Sequence, residues 1–206
     1  MEQLKTLVVE GDAKGSETRV QELLDQGVTA TDIMQKALIP AMDKVGELFQ
    51  SGEYYLPEML VAAKAMQQGL KVLKPILAQG KAHSAGKAVI GTVKGDLHDI
   101  GKNLVGISLE GAGFEVIDLG ADVAAEKFVV AVREHEPKVL GLSALLTTTM
   151  LGMREVITAL TKAGLRQNVK VMVGGAPITQ RFATEIGADY YGADSTSAKD
   201  YARTVQ

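Results

Sequence analysis

The sequence lacks cysteine and has few histidines. Its 206 residues include no Cys and three His. Without thiols the chain can form neither disulfides nor thiolate metal sites, and a hydrolytic zinc centre needs three or four clustered ligands. His83 lies in a predicted linker and His135 at the charged end of a predicted helix, so neither is placed to join His98. If a metal ion binds, the sequence offers it a single imidazole.

Long apolar runs and basic stretches are also missing. No apolar segment approaches the roughly 20 residues that cross a bilayer, and residues 1–5 lack the basic start and apolar core of a secretory leader. The formal net charge is −3 and the basic residues are dispersed, so neither nucleic acid nor a membrane is an evident partner. A hydrophobic content of 46% indicates a globular protein, which we expect in the cytoplasm.

The periodicity of the apolar residues changes near residue 80. Over residues 1–80 they recur every three or four positions, which predicts a bundle of four helices, with Pro40 kinking or splitting the third. Residues 81–86 have no periodicity and are predicted to be a linker. From residue 87 to 206, short β-rich runs alternate with helical ones, which is typical of a Rossmann-like (flavodoxin-like) α/β domain with a five-stranded parallel sheet. The predicted strands span residues 87–93, 115–119, 139–144, 170–174 and 189–191.

Chemically informative residues follow three of these strands. The loop after the first strand contains Asp96 and His98, Ser143 lies at the end of the third, and Gly174-Gly175 lies at the end of the fourth. Ligands of such sheets bind beyond the carboxyl ends of the strands, so these signals converge on one edge. A carboxylate two residues from a histidine can hold its second ring nitrogen, which fixes the tautomer and strengthens the donor. A metal held by one imidazole suggests that a macrocycle supplies the remaining ligands.

Each signal also has an ordinary explanation. A lone histidine such as His98 is usually structural or lies on the surface. The pair Gly174-Gly175 can be a simple turn, and residues 145–150 can be a helix start with a threonine cap. These alternatives stay open at this stage.

The sequence lacks a residue that each of two functions found on similar folds requires. A P-loop needs G-x-x-x-x-G-K-[ST], but five residues separate Gly95 from Gly101 and Asn103 follows Lys102 in place of the hydroxyl residue. A phospho-receiver of the same architecture needs an aspartate at the end of the third strand, where Ser143 stands. We therefore expect neither nucleotide hydrolysis nor a phosphoacceptor function.

Three short motifs at the strand ends resemble those of a known family. The motifs are Asp96-x-His98-x-x-Gly101, Ser143-x-Leu145 and Gly174-Gly175. They resemble the D-x-H-x-x-G, S-x-L and G-G signature of cobalamin-binding domains that hold the corrinoid with its own base displaced. Residues 45–49 and 52–58 resemble the cap helices of cobalamin-dependent methionine synthase and of the small corrinoid proteins of anaerobic methyltransferase systems. The resemblance covers nearly the whole chain.

The resemblance implies a role for each site residue. His98 would coordinate cobalt from the lower face, Asp96 would hold its other ring nitrogen, and Thr149 would stand where methionine synthase has the third, serine member of this relay. The displaced base would enter a slot between strands one and four, and the apolar cap would cover the upper face. No catalytic side chain is implied. The expected cofactor-binding residues are Phe49, Leu56, Gly95, Asp96, Leu97, His98, Asp99, Ile100, Gly101, Ser143, Leu145, Thr147, Thr149, Gly174, Gly175, Gly192 and Ala193, with His98 as the metal ligand.

The resemblance also implies a function. The protein would be a corrinoid methyl carrier that is not catalytic alone and uses cobalamin as methylcobalamin and cob(I)alamin. It would shuttle a methyl group between a substrate:corrinoid methyltransferase and an acceptor methyltransferase for tetrahydrofolate or a thiol, with a corrinoid reductive activase as a further partner. Two alternatives are a cobalamin-dependent light sensor or transcriptional regulator and the cobalamin subunit of a radical mutase. The sensor or regulator would need a basic recognition helix, and the mutase subunit would need a barrel partner.

Overall fold

The computed structural model describes residues 1–79 and 85–205, which form two compact units. The first unit is helical, as predicted, and its predicted third helix is divided. Within the described residues, no helix is both long and apolar enough to cross a membrane. The helices of this unit are α1 (Glu2–Val9), α2 (Ala13–Asp25), α3 (Ala30–Ile33), α4 (Ile39–Ser51) and α5 (Leu56–Gln79).

A π-helical turn joins α3 to α4 and explains the division. The turn spans Met34–Leu38 and ends two residues before Pro40, which is near the start of α4. Proline lacks an N–H and its ring crowds the carbonyl four residues earlier, so the backbone widens locally instead of continuing a regular helix. Gly52 ends α4 with a left-handed φ of 79°. The prediction that Pro40 kinks or splits this helix is therefore confirmed.

The core of the helical unit consists of aliphatic and methionine side chains. Helices α2 and α5 approach closely at Gly69, where a Cβ would lie only 3.2 Å from Cγ2 of Val20. A larger residue at that position would push the two helices apart. The largest buried side chains of this unit include Leu4, Ile33, Leu38, Met59, Met66 and Leu73.

The second unit is a five-stranded parallel sheet with helices. Its strands are β1 (Gly86–Thr92), β2 (Phe114–Asp118), β3 (Val139–Ser143), β4 (Lys170–Gly174) and β5 (Tyr190–Gly192). Its helices are α6 (Ile100–Gly111), α7 (Ala125–His135), α8 (Leu151–Lys162), α9 (Gln180–Ile186) and α10 (Ser195–Thr204). The strand order is β2-β1-β3-β4-β5, so the chain reverses its direction of winding between β1 and β3. The predicted fold is confirmed, and a crevice at this switch point is the usual ligand site.

The predicted linker lies mostly outside the described residues. Residues 81–84, which include His83, are not among those that the structure describes, whereas Gly86 is already the first residue of β1. The first strand therefore begins one residue earlier than predicted and ends at Thr92.

One face of the sheet carries the main hydrophobic core. We call this the core face, and its strand residues include Val89, Leu140, Leu142, Val171 and Val173. Side chains from α7, α8 and α9 pack against it. Because successive strand residues point to opposite faces, the other residues of the same strands form a second surface.

The second face carries small residues at its carboxyl end. We call it the small-residue face, and its members include Ile90, Gly141, Ser143, Gly174 and Gly192. Helix α6 lies close to β1 on this face, since a Cβ at Gly106 would come within 2.9 Å of Ile90. Helix α10 lies close to β5, since a Cβ at Gly192 would come within 3.2 Å of the Ala198 side chain.

Candidate functional site

A row of four paired residues marks the carboxyl edge of the small-residue face. Thr92 is buried, whereas the other three are half-buried even though β3 and β4 are inner strands. The sequence motifs contain Ser143 and Gly174, and the sheet places all four residues side by side. The row consists of Thr92, Ser143, Gly174 and Gly192, paired in that order across β1, β3, β4 and β5.

Asp96 is the centre of the polar network at this edge. It lies between β1 and α6 and is fully buried. Its Oδ1 accepts a hydrogen bond from the His98 backbone N–H at 3.0 Å and lies 2.8 Å from His98 Nδ1. Its Oδ2 accepts from the Thr149 hydroxyl at 2.6 Å and from the backbone N–H groups of Leu145 at 2.8 Å and Leu146 at 3.3 Å. One carboxylate therefore ties the loop after β1 to the loop after β3.

These contacts keep Asp96 ionised. Burial by itself raises the pKa of the carboxyl group, because a charge in the interior loses hydration. The hydrogen bonds from the Thr149 hydroxyl, from the backbone N–H groups of His98 and Leu145 and from the His98 ring outweigh burial, and the pKa lies well below its ordinary value of 3.8. Asp96 is thus a fixed negative charge next to the His98 imidazole.

The His98 ring is oriented by one nitrogen and presents the other. The side chain is 53% exposed, while its Nδ1 faces the buried Asp96 carboxylate. In the neutral tautomer that donates from Nδ1 to Asp96, Nε2 carries the lone pair that can bind a metal. The backbone is held as well, because the Thr92 hydroxyl donates to the His98 carbonyl at 3.2 Å. The result is an oriented nitrogen donor at the protein surface.

Exposed apolar side chains accompany the imidazole. Leu97 is 75% and Ile100 65% exposed, and Leu145 and Leu146, whose N–H groups bind Asp96, are 42% exposed each. Apolar groups gathered at a surface usually mark a binding site. A flat macrocycle with an apolar rim and a central metal fits this set, because the leucines and isoleucine can contact the ring while Nε2 reaches the metal.

The glycine pair at the end of β4 serves a close backbone approach. A Cβ on Gly175, whose φ is 132°, would overlap the carbonyl oxygen of Ala144. A Cβ on Gly174 would lie 3.0 Å from the carbonyl oxygen of Gly192. The pair therefore lets three segments of backbone meet at the carboxyl edge, which is more than a simple turn requires.

Thr149 is engaged with Asp96 and is not the cap of α8. The residue before α8 is Met150, and it makes no side-chain capping hydrogen bond. The hydroxyl of Thr149 lies 2.6 Å from Asp96 Oδ2 and 3.0 Å from the Leu146 carbonyl oxygen. Of the two explanations that the sequence allowed for residues 145–150, a plain helix start is not the one observed.

The remaining predicted residues are distributed over both units. Gly95 has a φ of 82°, the Asp99 carbonyl accepts from the Asn103 N–H in the first turn of α6, and Gly101 is exposed in that turn. Thr147 is exposed in the loop before α8, and Ala193 is exposed just after β5. Phe49 near the end of α4 and Leu56 at the start of α5 belong to the helical unit, where each is half-buried.

The structure adds residues that the sequence did not single out. Asp122, after β2, binds the backbone of Gly95 and Asp96. Lys102, which is 3% exposed on α6, lies 2.6 Å from both carboxylate oxygens of Asp118 at the end of β2. A buried lysine needs such a partner, but sequence spacing alone does not say which carboxylate provides it.

Among residues 1–79 and 85–205, no three His, Cys, Asp or Glu side chains are grouped so that they could hold a metal ion.

Comparisons with known proteins match both units of the chain. The B12-binding family, described as a B12 binding domain, matches residues 86–199, and a second family with the same description matches residues 1–74. The chain is 40% identical over 203 residues to trimethylamine corrinoid protein 1 of Methanosarcina acetivorans, covering 98% of this chain and 94% of that protein. It is 48% identical over 176 residues to dimethylamine corrinoid protein 1 of the same organism, covering 85% and 83%.

A solved structure supports the same assignment. The methanol:cobalamin methyltransferase complex MtaBC of Methanosarcina barkeri contains a chain that is 30% identical to this one, with a TM-score of 0.89. The match covers 98% of this chain and 78% of that chain. The fold and the matched families define a cobalamin-binding protein, and the chain belongs to the B12-binding family. Within that class it is a corrinoid protein of a methyltransferase system, where it acts as a methyl carrier.

Proposed function

We propose that this methyl carrier binds cobalamin with the cofactor's own base displaced and with His98 Nε2 as the protein ligand of cobalt. The observation that carries the proposal is the 2.8 Å contact between His98 Nδ1 and Asp96, which orients the ring and leaves Nε2 at the surface. When bound, cobalamin supplies the cobalt that receives and gives up the methyl group, because cofactors carry such chemistry and the protein positions them.

The residues around His98 would control its strength as a ligand. Asp96 stays ionised and accepts a hydrogen bond from Nδ1–H, which increases the electron density that Nε2 can donate. With Nε2 free, the same carboxylate would keep the ring in its orientation. Thr149 supports Asp96 from the opposite oxygen. The hydrogen bonds from Thr149 through Asp96 to His98 would therefore support the ring both when it is bound to cobalt and when it is released, without a change in the position of Asp96.

The small-residue face would receive the displaced base. Ser143, Gly174 and Gly192 are half-buried and carry a small side chain or none along β3 to β5. Leu97, Ile100 and Leu145 would contact the ring system, with Thr147 and Ala193 at the ends of the slot. We assign this role to a cobalamin domain of residues 87–206 and the role of a cap, through Phe49 and Leu56, to residues 1–80.

A methyltransferase is a partner of proteins of this class, and we propose its substrate and the other partners. The donor would be a methylated amine, since two relatives with 40% and 48% identity are named for trimethylamine and dimethylamine, whereas the relative in the methanol complex is 30% identical. The acceptor methyltransferase would use tetrahydrofolate or a thiol, and a reductive activase would restore the reduced cofactor. A cytoplasmic location stays a prediction.

Electron paramagnetic resonance of the cobalt(II) form tests the cobalt ligand. In protein labelled with ¹⁵N-histidine, the nitrogen coupling should change from the ¹⁴N to the ¹⁵N pattern. His98→Ala should abolish the histidine coupling while corrinoid binding persists more weakly. His135→Ala, on the last residue of α7, is the matched control and should leave the spectrum unchanged. A ¹⁴N pattern that persists in the labelled wild-type protein would show the cofactor's own base on cobalt and refute the proposal.

Methyl transfer to the reconstituted protein tests the donor. The holoprotein should be methylated by a methyltransferase that uses trimethylamine or dimethylamine and not by one that uses methanol. Methylation only by the methanol enzyme would refute the assignment of an amine donor without affecting the ligand assignment.

A further inference from the structure

Asp122 has a backbone conformation that is unusual for a residue with a side chain. It lies between β2 and α7 with a φ of 55°, in the left-handed region. Among the non-glycine residues that the structure describes, Asp122 and Glu136 have a positive φ. Such a conformation is strained for a residue with a side chain and persists where surrounding contacts impose it. Aspartate and asparagine tolerate it better than most residues.

The contacts of Asp122 point to the loop that carries His98. Its Oδ1 accepts a hydrogen bond from the Gly95 N–H at 2.7 Å, and its own N–H donates to the Asp96 carbonyl at 2.9 Å. Asp122 therefore binds two consecutive residues, Gly95 through its side chain and Asp96 through its backbone. Asp122 makes both contacts while its backbone is in the left-handed region.

The neighbouring residues extend the same connection. The Val123 N–H donates to the Thr92 carbonyl at 3.0 Å, and Val123 forms a parallel bridge with Val93. Residues 92–96 are thus tied to residues 122–123 beyond the ends of the regular strands. Gly95 itself has a φ of 82°, so the loop reaches Asp96 through a turn that a larger residue would resist.

Asp96 links the contacts of Asp122 to His98, the proposed ligand of cobalt. It holds His98 through both the backbone N–H and the ring, and it holds the loop after β3 through Thr149 and Leu145. A displacement of Asp96 by a few tenths of an ångström would weaken all these contacts together, because hydrogen bonds lose strength with distance and angle. A functional site needs its residues held within about 0.5 Å of their productive positions by the residues that support them.

Glu136 shows that a left-handed residue need not have such a role. It is the residue that ends α7, and its N–H donates to the Val132 carbonyl as at an ordinary helix end. It lies before β3, at the amino end of the sheet, whereas Asp122 lies at the carboxyl end. Glu136 is therefore the matched control for the backbone conformation alone.

We propose that Asp122 is a positioning residue for the cobalt ligand. It fixes the Gly95–Asp96 backbone and, through Asp96, sets how firmly His98 holds cobalt. The inference rests on the proposed function, in which His98 is the ligand of a base-displaced cobalamin. Asp122 acts through Gly95 and Asp96 and is not itself a ligand.

Three variants separate the contributions of Asp122. Asp122→Asn keeps an acceptor oxygen and the tolerance for a left-handed φ, Asp122→Gly keeps only the backbone conformation, and Asp122→Ala keeps neither. In the cobalt(II) form, Asp122→Gly should lower the ratio of His-bound to His-free cobalt about tenfold, the lower end of the effect of losing a partner behind a metal ligand. Asp122→Asn should stay within about twofold of wild type, and Glu136→Gly should not change the ratio.

The protein without cofactor supplies a second readout. The Gly95 amide proton should exchange with solvent faster in Asp122→Gly than in wild type, and the ¹⁵N shifts of the His98 ring should move towards a mixture of tautomers. Both changes should be absent in Asp122→Asn and in Glu136→Gly. Thermal unfolding checks that each variant is folded, and Asp122→Gly carries the comparison if Asp122→Ala does not fold.

The outcomes distinguish the inference from the function on which it rests. If wild type shows histidine coupling and Asp122→Gly keeps the wild-type ratio, the role of Asp122 is refuted and the ligand assignment stands. If wild type shows no histidine coupling, the proposed function fails, and unchanged Gly95 exchange and His98 shifts in Asp122→Gly would refute the positioning role separately. If Asp122→Asn loses as much as Asp122→Gly, the acceptor bond to Gly95 is not the cause.

Discussion

The two faces of the sheet are made from alternate residues of the same strands, yet they differ in side-chain size and burial. On β3, Leu140 and Leu142 lie in the core face and are buried, whereas Gly141 and Ser143 lie in the small-residue face and are half-buried. The core face gains apolar burial, which stabilises the fold at about 25 cal/mol per Å². The small-residue face gives up part of that burial at its carboxyl end, where the proposed function places the displaced base. Under the proposed function, stability and cofactor binding would depend on separate surfaces of the same strands.

The largest effect should come from the core face. Phe128→Ala removes a fully buried ring from α7 and should lower the free energy of unfolding by about 3–5 kcal/mol. Urea unfolding measures the loss, and a cobalamin titration of the folded protein should give an unchanged affinity. Val130→Ala, at an exposed site on the same helix, should change stability by less than about 0.5 kcal/mol. If Phe128→Ala weakens cobalamin binding in the folded protein, the two faces are not independent.

A smaller loss of stability should come from the ion pair beside the small-residue face. Asp118, on the same face as Ile90, is 40% exposed, whereas its partner Lys102 is 3% exposed. Asp118→Ala leaves a buried ammonium without its partner and should cost about 3 kcal/mol, the lower end of the range for buried pairs because Asp118 retains some hydration. Urea unfolding of the cofactor-free protein measures it. Adding Lys102→Met should restore part of the stability, and no recovery would mean that the ion pair is not the cause.

Removal of the Thr149 hydroxyl should have a pH-dependent effect. A hydrogen bond to a charged group contributes about 1.5–3 kcal/mol, so Thr149→Val should destabilise the cofactor-free protein by about 2 kcal/mol at pH 7. Because the folded-state pKa of Asp96 is lowered, its contribution is complete above the ordinary value of 3.8 and is lost as the pH falls through the folded value.

Measuring the unfolding of wild type and Thr149→Val over a range of pH tests whether the hydroxyl acts through the charge on Asp96. The difference in unfolding free energy between wild type and Thr149→Val should stay constant while Asp96 is ionised in both folded proteins and should shrink as the pH falls through the folded-state pKa values of Asp96, because the two unfolded chains titrate alike. Thr149→Ser keeps a hydroxyl and should follow wild type. An equal loss of stability in Thr149→Ser at pH 7 would show that keeping the hydroxyl is not enough and would contradict the assignment of the effect to the hydrogen bond.

The smallest energetic effect should come from the small-residue face itself. Ser143→Leu adds a side chain at a half-buried site, so stability should change by less than about 0.5 kcal/mol. Cobalamin affinity should fall about tenfold, which corresponds to 1.4 kcal/mol, because the leucine fills space assigned to the displaced base. Ser143→Ala leaves the space open and should bind cobalamin like wild type. Equal affinities for Ser143→Leu and Ser143→Ala would place the base elsewhere.

Local sequence patterns predicted much of the fold and part of the site. The five strands follow from short apolar runs, and β4 was predicted with its observed ends, Lys170–Gly174. His98 with Asp96 was predicted because both residues lie in one short loop after a strand. The π-helical turn was predicted only as a disturbance at Pro40, since a proline marks an irregularity without specifying how the backbone adapts. The partner of Lys102 was not predicted, because its carboxylate comes from another element.

By itself, the sequence determined the order of helices and strands, the single histidine donor and its neighbouring carboxylate, because apolar periodicity and short loops are local properties. Only the tertiary structure decided that Thr92, Ser143, Gly174 and Gly192 share one row and that Asp122 grips Gly95 across 27 positions of the chain. Those contacts depend on strand order and register, which are set when distant segments pair and bury their apolar faces together.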